Sequence, residues 1–278
     1  MRPNARRELL LTLLRERRFH SVQDLKRKTG IPHATLHRDL NVLSRDRKIR
    51  KTYGEVEILD DGARLRDYDR RIGQNADCKL AIAAAALRYV RPGDHLFLDA
   101  SSTCYYFGLA LFSSGLEGVT VVTNSIHLLN EYQRRASGIA LVSTGGSLHR
   151  ELYAFLGDSA METMQRLRLA KAFVSAGGFS LEGGLSTTSE AVLGASKAAL
   201  GMAQQRYALL DSSKFGRDYV FTVSRLNGFD AIITDAGLPA DAAHAIEALG
   251  PAVTRVAAGE PAGIRRRERP AADRKERT

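Results

Sequence analysis

Hydrophobic residues recur at helical spacing between residues 33 and 45. At 100° per residue, Leu36, Leu40 and Leu43 fall on one side of a helix. The opposite side carries small, polar or basic residues at four positions, Ala34, Arg38, Asn41 and Arg45. This pattern predicts a helix that packs through its leucines and offers a basic face to a partner.

A second, shorter helix is predicted immediately before it, over residues 22–28. Ser21 and Asp24 have the spacing of a capping box, in which the hydroxyl accepts a hydrogen bond from a first-turn amide. Gly30 supplies the left-handed backbone of a helix end, and Pro32 fixes φ for the start of the next helix. Helix, four-residue turn and helix is the helix-turn-helix layout, whose second helix enters the major groove of DNA.

The segments on either side complete a winged helix-turn-helix. Leucines at positions 9, 10, 13 and 14 predict an earlier helix over residues 5–18 that covers the pair. The basic stretch at residues 48–59 predicts a two-stranded wing that folds back at Tyr53 and Gly54. The residues expected to contact DNA are Ser21, His33, Thr35, His37, Arg38, Arg45 and Lys51.

The positive charge of the chain is concentrated at its ends. Residues 1–58 hold 15 Lys and Arg against 7 Asp and Glu, whereas residues 59–259 hold 19 against 20. Residues 260–278 hold 7 against 4, which completes the formal net charge of +10. Neutralisation of phosphates needs cations gathered on one surface, so this distribution favours DNA binding over a solvated helical cap on an enzyme.

Short apolar segments alternate with helical ones from residue 77 onward. That alternation predicts an α/β domain with a mostly parallel sheet covered by helices, in which ligands bind beyond the carboxyl ends of the strands. The predicted strands are residues 95–99, 119–123, 139–144, 171–176, 206–211 and 230–235.

Small and polar residues follow five consecutive predicted strands. The first of these groups, residues 99–103, opens a helix, so its hydroxyls and amides can converge on an anion. Lys214 supplies a cation after the fifth strand, and Asp99 and Asn124 are suited to hold the hydroxyls of a polyol. Together these strand ends predict a pocket for a phosphorylated small molecule. Its expected residues are Asp99, Ser101, Ser102, Thr103, Thr123, Asn124, Gly145, Gly146 and Lys214.

Length and composition set the domain organisation. The chain has 278 residues, of which 44% are hydrophobic. That length accommodates a winged helix of about 60 residues and an α/β domain of about 200. The expected divisions are 1–59 for the DNA-binding domain, 60–76 for a linker, 77–259 for a sensing and oligomerisation domain and 260–278 for a disordered basic tail.

The cellular location and the redox state of the cysteines are predicted from apolar segments and from the number of cysteines. No window approaches 18 uninterrupted apolar residues and no signal peptide is recognisable, which predicts a cytoplasmic protein without a membrane segment. Cys78 and Cys104 are too few for a disulfide framework. Cys104 lies at an expected helix start, where a thiolate is favoured, but an ordinary packed thiol is the preferred interpretation.

Two candidate motifs for metal or nucleotide binding are incomplete. His33 and His37 are four residues apart, as in a metal-binding pair, but no third ligand is placed, so phosphate contact or solvation is preferred. The glycines of GGFSLEGG, residues 177–184, lack the Gly-Lys-Ser/Thr of an NTPase phosphate-binding loop. The sequence therefore predicts neither a metal nor a cofactor.

The order of these residues resembles the DeoR family of bacterial sugar-metabolism regulators. TLHRDLNVLSRDRKI, placed after GIP and before a short basic hairpin, is similar to the winged helix-turn-helix of that family. Its effector domain is similar in the order and spacing of DASST, VVTNS, STGG, the GD of FLGDSA, SAGG, SEA and LLDSSKFG. The sequence departs from the family pattern at Pro32, at Tyr53-Gly54-Glu55 and at Ser101.

This resemblance spans residues 5 to about 240. It implies an effector domain similar in fold to ribose-5-phosphate isomerase, which binds phosphorylated sugars or their derivatives. In the family, the loop that matches Ser101, Ser102 and Thr103 is expected to grip the phosphate, with Lys214 nearby.

Two functions of different classes follow. The first is a cytoplasmic transcriptional repressor of carbohydrate-metabolism genes that responds to a phosphorylated sugar. It is expected to bind operator DNA as a dimer or tetramer, because one helix-turn-helix reads only a few base pairs. The alternative is an isomerase-like enzyme acting on a sugar phosphate, with Asp99, Glu190, Asp211 and Lys214 as its candidate acid and base groups. The charge block at residues 1–58 favours the regulator.

Overall fold

A computed structural model describes residues 3–16, 19–46, 48–51, 55–58, 68–135 and 137–258. The chain divides into two units, residues 1–70 and residues 71–278. Each unit has its own sheet and its own apolar core.

The N-terminal unit is a winged helix-turn-helix. It consists of α1 (Pro3–Glu16), β1 (Phe19–Ser21), α2 (Val22–Thr29), α3 (His33–Arg45), β2 (Ile49–Lys51) and β3 (Glu55–Ile58). The strands form an antiparallel sheet in the order β1-β3-β2. The three helices and the two wing strands are confirmed, whereas the sequence pattern does not predict β1. The predicted wing turn at Tyr53 and Gly54 lies outside the described residues.

Local capping signals explain the helix-turn-helix. Ser21 Oγ accepts a hydrogen bond from the N–H of Asp24 at 3.0 Å and so begins α2. Gly30 ends α2 in the left-handed conformation, with φ 65°, and its N–H donates to the Lys26 carbonyl. Pro32 precedes α3 without a side-chain hydrogen bond, because proline offers no polar atom to accept one.

Leucines from the three helices build the core of this unit. In α3, Leu36, Leu40 and Leu43 are buried, as their spacing predicts. In α1, Leu10 and Leu14 are buried as predicted. Leu11 is also buried and Leu9 is only half-buried, so the buried face of α1 is rotated about the helix axis relative to the prediction.

The C-terminal unit contains a seven-stranded sheet in which every pairing is parallel. Its strands are β4 (His95–Leu98), β5 (Thr120–Thr123), β6 (Ala140–Ser143), β9 (Leu169–Val174), β12 (Ala203–Leu209), β14 (Ala231–Asp235) and β15 (Ala252–Val256). Their order across the sheet is β15-β14-β12-β9-β4-β5-β6. The first six confirm the predicted strands with shifted ends, and β15 is a strand that the sequence analysis missed.

Two smaller antiparallel sheets occupy connections of the main sheet. They are formed by β7 (Ser147–His149) with β8 (Ala154–Leu156), and by β10 (Gly178–Ser180), β11 (Gly184–Thr187) and β13 (Phe221–Ser224). The helices are α4 (Ala76–Ala86), α5 (Ser102–Phe112), α6 (Ile126–Tyr132), α7 (Asp158–Gln165), α8 (Glu190–Met202) and α9 (Ala240–Glu247). In the described part of the chain, no helix combines the length and the apolar character that crossing a membrane requires.

Apolar side chains cover both faces of the main sheet. Along β4, Leu96 and Leu98 belong to one apolar cluster and Phe97 to another, because successive strand residues point to opposite faces. Phe107 of α5 packs in the first cluster and Leu200 of α8 in the second. With both faces covered, the strand ends remain as the place for polar residues.

The segment predicted as a linker is partly folded. Residues 60–67 lie outside the described residues, but residues 68–73 are helical and Tyr68 is fully buried. α4 then begins at Ala76. At residues 68–76 the structure therefore differs from the predicted linker. The charged composition of this segment gives no sign of its helical turn. The predicted tail, residues 260–278, lies outside the described residues.

Candidate functional site

Polar side chains meet at the carboxyl edge of the seven-stranded sheet. Because all pairings are parallel, residues that follow the strands share this edge. Asp99 follows β4, Asn124 follows β5, Ser175 follows β9 and Asp211 lies just beyond β12, and all four are buried. We call these four residues the strand-end site, together with Ser101, Ser102, Thr103 and Lys214.

A line of hydrogen bonds connects three parts of this site. Lys214 Nζ donates to Ser175 Oγ at 3.0 Å. The N–H of Ser175 donates to Asp99 Oδ2 at 2.7 Å, and the N–H of Ser101 donates to Asp99 Oδ1 at 3.0 Å. The lysine cation is therefore linked through Ser175 and Asp99 to the start of α5.

The start of α5 offers hydrogen-bond donors. Ser101 is the N-cap, and its Oγ accepts from the N–H of Cys104 at 3.2 Å. Helix geometry leaves the N–H groups of Ser102 and Thr103 without intrahelical acceptors and gives this end a partial positive charge. Thr103 Oγ1 is buried and has no hydrogen-bond partner among the described residues. These donors suit an anion.

Lys214 lies in a short turn after β12 and is largely enclosed. Its side chain is 18% exposed, and its Nζ lies 3.9 Å from Asp211 Oδ2. Burial lowers the pKa of Lys214, and the carboxylates of Asp211 and Asp99 oppose that shift. A ligand anion beside Nζ would favour the charged form further, because opposite charges stabilise each other.

Neighbouring groups keep Asp211 ionised. Asn75 Nδ2 donates to Asp211 Oδ1 at 2.9 Å, and the Ser213 hydroxyl donates to the same oxygen. Burial opposes ionisation, but Lys214 and these hydrogen bonds outweigh it and lower the pKa of Asp211. Glu190, a further candidate acid, is exposed in the first turn of α8. The lowered pKa of Asp211 disfavours it as a proton donor.

The two polar residues at the end of β5 have different surroundings. The Thr123 hydroxyl donates to the Leu98 carbonyl at 2.7 Å and so joins β5 to β4. Asn124 is buried, and its Oδ1 has no hydrogen-bond partner among the described residues. Thr123 therefore supports the fold of the edge, whereas Asn124 retains an acceptor for a ligand.

Gly145 and Gly146 shape the turn after β6. Their φ angles are 61° and 105°, a backbone region that favours glycine. A Cβ at Gly146 would come within 2.7 Å of the Leu156 carbonyl oxygen and 2.8 Å of the Ala160 Cβ. At Gly146, glycine is required by close packing.

Both cysteines are thiols. Burial raises the pKa of Cys104 well above its ordinary value, and its Sγ donates to the Phe173 carbonyl at 3.4 Å. Burial, Asp235 and Asp211 also raise the pKa of Cys78. The interpretation of Cys104 as an ordinary packed thiol is confirmed.

Two residues of this region are absent from the sequence predictions. Ser175 directly follows β9, and its position in the run SAGG at a strand end is a signal that could have identified it. Asn75 lies in the predicted linker, 136 positions from Asp211. No local pattern indicates so distant a contact.

The exposed side of α3 is a candidate DNA-binding face. The five α3 residues expected to contact DNA are all exposed or half-buried, namely His33, Thr35, His37, Arg38 and Arg45. Lys51 Nζ on β2 donates to Asn41 Oδ1 of α3 at 2.7 Å. The wing strand and α3 therefore form one polar surface, while Ser21 lies at the start of α2 as its N-cap.

His33 and His37 contact each other on this face. Their Nε2 atoms lie 3.1 Å apart. Partial burial lowers the pKa of His37, and the charges of His33 and Lys51 lower it further. No group of three or more His, Cys, Asp and Glu side chains suited to a metal ion occurs among the described residues.

Asp39 anchors α3 to α1. It is buried on the inner side of α3, where it pairs with Arg6 Nε at 2.8 Å and with Arg7 Nε at 3.2 Å. The sequence pattern does not predict this pairing, because the partners lie 33 and 32 positions away. Arg6 and Arg7 of α1 thus hold α3 in place.

Comparison with known proteins identifies both units. Residues 6–61 match the DeoR-like helix-turn-helix domain, and residues 74–236 match the DeoR C terminal sensor domain. The chain is 28% identical over 247 residues to a putative aga operon transcriptional repressor of Escherichia coli O157:H7, covering 88% of this chain and 91% of that protein. It is 28% identical over 239 residues to the L-fucose operon activator of Haemophilus influenzae, covering 85% and 93%.

One solved structure matches about half of the chain. Ribose 5 phosphate isomerase A from Neisseria gonorrhoeae matches with 19% identity and a TM-score of 0.36, over 49% of this chain and 52% of that chain. A likeness of this strength carries no argument about activity. The two domain matches, in contrast, follow each other in the order of the two units and confirm the resemblance seen in the sequence: the chain belongs to the DeoR family of DNA-binding transcriptional regulators.

Proposed function

We propose that the chain is a cytoplasmic repressor of carbohydrate-metabolism genes whose binding to operator DNA changes when a phosphorylated sugar occupies the strand-end site. The observation that carries this proposal is the hydrogen-bonded line from Lys214 through Ser175 and Asp99 to the start of α5. It joins a cation to a helix N-terminus at the ligand-binding edge of a parallel sheet.

The phosphate is proposed to bind at the start of α5. A dianion needs several donors and a positive charge, which the free N–H groups, the hydroxyls of Ser101, Ser102 and Thr103, and Lys214 supply. Ser101 Oγ accepts from Cys104 and still carries a proton to donate. Thr103 Oγ1 would gain the partner that the described residues do not give it.

The sugar hydroxyls are proposed to face Asp99 and Asn124. Each carboxylate oxygen of Asp99 accepts one backbone N–H and retains a further lone pair. A buried polar atom without a hydrogen bond costs about 1 to 3 kcal/mol. A sugar hydroxyl would satisfy Asn124 Oδ1 and remove that cost. Thr123, Gly145 and Gly146 are proposed to contribute by shaping the neighbouring loops.

The DNA is proposed to bind across α3 and the wing. Contacts are expected from Ser21, His33, Thr35, His37, Arg38, Arg45 and Lys51. A single motif reads few base pairs, so we propose a dimer or tetramer assembled through residues 77–259, with recognition helices about 34 Å apart or a multiple of it.

The direction of regulation is supported by one relative. The Escherichia coli protein is named a putative repressor, whereas the Haemophilus influenzae protein is named an activator of the L-fucose operon. The second name supports a link to carbohydrate metabolism. A reporter placed behind the bound promoter decides the direction, because repression requires expression to rise when the chain is absent.

Calorimetric titration with a panel of sugar phosphates tests the site. At least one of them should bind the parent, and Lys214→Ala should weaken that binding by roughly 1.5 to 3 kcal/mol, the range for hydrogen bonds to charged groups. Lys197→Ala is the matched control, because Lys197 is exposed on α8. If no sugar phosphate binds the parent, or if Lys214→Ala binds as well as the parent, the site assignment fails.

The same panel distinguishes the regulator from an enzyme. A regulator should bind its sugar phosphate without converting it, and the ligand should be recovered unchanged after prolonged incubation. Conversion to an isomer, lost in Lys214→Ala, would favour the isomerase-like alternative.

A further inference from the structure

The segment that opens the C-terminal unit is tied to the loop that carries Lys214. Asn75 has φ 53° and ψ 38°, a left-handed conformation that asparagine tolerates better than most residues. Its Nδ2 donates to Asp211 Oδ1 at 2.9 Å and to Ser213 Oγ at 3.0 Å. One side chain therefore connects the segment at residues 71–79 with the loop at residues 211–214.

Lys79, in α4, holds the same segment through hydrogen bonds to its backbone carbonyls. It is 3% exposed, and its Nζ donates to the Gln74 carbonyl at 2.7 Å and to the Arg71 carbonyl. Its N–H donates to the Asn75 carbonyl at 3.0 Å. Carbonyls at the end of a helical turn lack donors within the helix, so a buried ammonium group is what fixes this turn.

The carboxylate of Asp211 stabilises the charged forms of both Lys79 and Lys214. Burial and then the charge of Lys214 lower the pKa of Lys79 to about 8, while Asp211 opposes the shift. Asp211 likewise opposes the lowering of the pKa of Lys214. Because both lysines depend on the same carboxylate, a change in the surroundings of one alters the balance at the other.

We infer that Asn75 and Lys79 are positioning residues that transmit occupancy of the strand-end site to residues 71–79, which directly follow the boundary with the DNA-binding unit. The inference rests on the proposed function. A ligand phosphate that draws Lys214 away from Asp211 leaves this carboxylate to its bonds with Asn75 and Ser213. The resulting shift of Asn75 reaches its backbone carbonyl, which accepts from the N–H of Lys79, and residues 71–79 loosen.

The first test needs no ligand. In the full-length chain, Lys214→Met removes the cation and so imitates its withdrawal by a phosphate. Hydrogen exchange of the amides in residues 71–79 should become about tenfold faster, since local opening sets exchange rates. Lys197→Met, on the exposed side of α8, should leave that exchange unchanged. Unchanged exchange at residues 71–79 in Lys214→Met would overturn the inference.

A double-mutant comparison tests the route through Asp211. Asn75→Gly removes the amide without strain, because glycine accepts a positive φ. It should itself speed the exchange of residues 71–79, and Lys214→Met should add little in that background. Fully additive effects would contradict transmission through the shared carboxylate. Circular dichroism establishes that each variant is folded, and Lys214→Gln replaces Lys214→Met if the latter is not.

A ligand arm separates this inference from the proposed function. Ribose 5-phosphate should slow exchange at residues 211–214 of the parent and speed it at residues 71–79, and in Asn75→Gly only the first change should remain. If ribose 5-phosphate leaves residues 211–214 unchanged in the parent, this sugar phosphate is not a ligand of the strand-end site, and the ligand-free comparison still decides whether the relay exists. If both changes persist in Asn75→Gly, the relay is wrong and the ligand site stands.

Discussion

The two units place their positive charge in opposite settings. On α3, Arg38 and Arg45 are exposed, whereas the Lys214 side chain is 18% exposed and lies beside Ser175 and Asp211. Exposed cations attract any phosphate and are screened by salt, while a partly buried cation is screened much less. The first surface is therefore suited to a polyanion and the second to a single compact anion.

Each unit also buries an aspartate against cations, with different geometry. Asp39 pairs with Arg6 at 2.8 Å and with Arg7 at 3.2 Å, which fastens α3 to α1. Asp211 lies 3.9 Å from Lys214, whose Nζ donates to Ser175 instead. The close pairs serve the fold, and the looser pair leaves a cation available to a ligand.

Added salt should weaken DNA binding at α3 far more than sugar phosphate binding at the strand-end site. The logarithm of DNA affinity should fall by about 0.9 per logarithm of salt for each phosphate neutralised, a loss of roughly 10³ to 10⁵ between 50 and 200 mM for six to ten contacts. Affinity for a sugar phosphate should fall far less, because Lys214 is partly buried. Fluorescence anisotropy with DNA and calorimetry with the ligand measure the two slopes. Equal salt dependence of DNA affinity and ligand affinity would contradict the difference in exposure proposed for the two binding surfaces.

Loss of the buried aspartate should damage only the N-terminal unit. Asp39→Asn removes the carboxylate that pairs with the partly exposed Arg6 and Arg7, and should lower the free energy of unfolding of that unit by roughly 2 to 3 kcal/mol, below the range for fully buried pairs. Asp46→Asn is the control, because Asp46 is exposed just after α3. Thermal unfolding and DNA binding provide the readouts. Equal effects of the two variants would show that the pairing with Arg6 and Arg7 contributes nothing.

Removal of an exposed cation should affect DNA binding and leave the ligand site intact. Arg38→Ala should weaken specific DNA binding by roughly 1 to 3 kcal/mol if its guanidinium reads a base. Sugar phosphate affinity without DNA should stay at the parent value. Equal losses on operator and on random DNA would assign Arg38 to the phosphate backbone instead.

The smallest expected effect is a pH dependence of DNA binding. Partial burial, His33 and Lys51 lower the pKa of His37 below the ordinary histidine value of about 6.5, so the ring gains its proton only as the pH falls. Protonation adds a cation to the face of α3, so DNA affinity should rise a few-fold as the pH falls, and His37→Gln should reduce the rise. A rise that persists unchanged in the double variant His33→Gln, His37→Gln would assign it to other groups.

Local signals in the sequence predict some regions well. The bounds of α3 follow from the spacing of its leucines and from Gly30 and Pro32, which act within a few residues of the helix. The strand-end residues Asp99 and Lys214 are predictable because parallel strands end at one edge. These features depend on local patterns and on a topological rule.

Contacts between distant positions escape the same approach. The bonds from Asn75 to Asp211 and from Arg6 to Asp39 span 136 and 33 positions, and no periodicity marks either. The roles of Thr123 and Gly146 also depend on neighbours brought together only by folding. Sequence analysis therefore names candidate residues at an edge but does not distinguish those that hold the fold from those that remain available to a ligand.

The most direct test of control by the C-terminal unit measures DNA affinity with and without the ligand. Promoter fragments of the genes that flank the coding sequence are titrated with the chain, against random DNA of equal length, in the presence and absence of a saturating sugar phosphate. We expect tighter binding to one fragment, a change of about 5- to 150-fold in that affinity on adding the ligand, and an equal change in ligand affinity on adding DNA. A bound sugar phosphate that leaves DNA affinity unchanged would contradict the central claim that one unit controls the other.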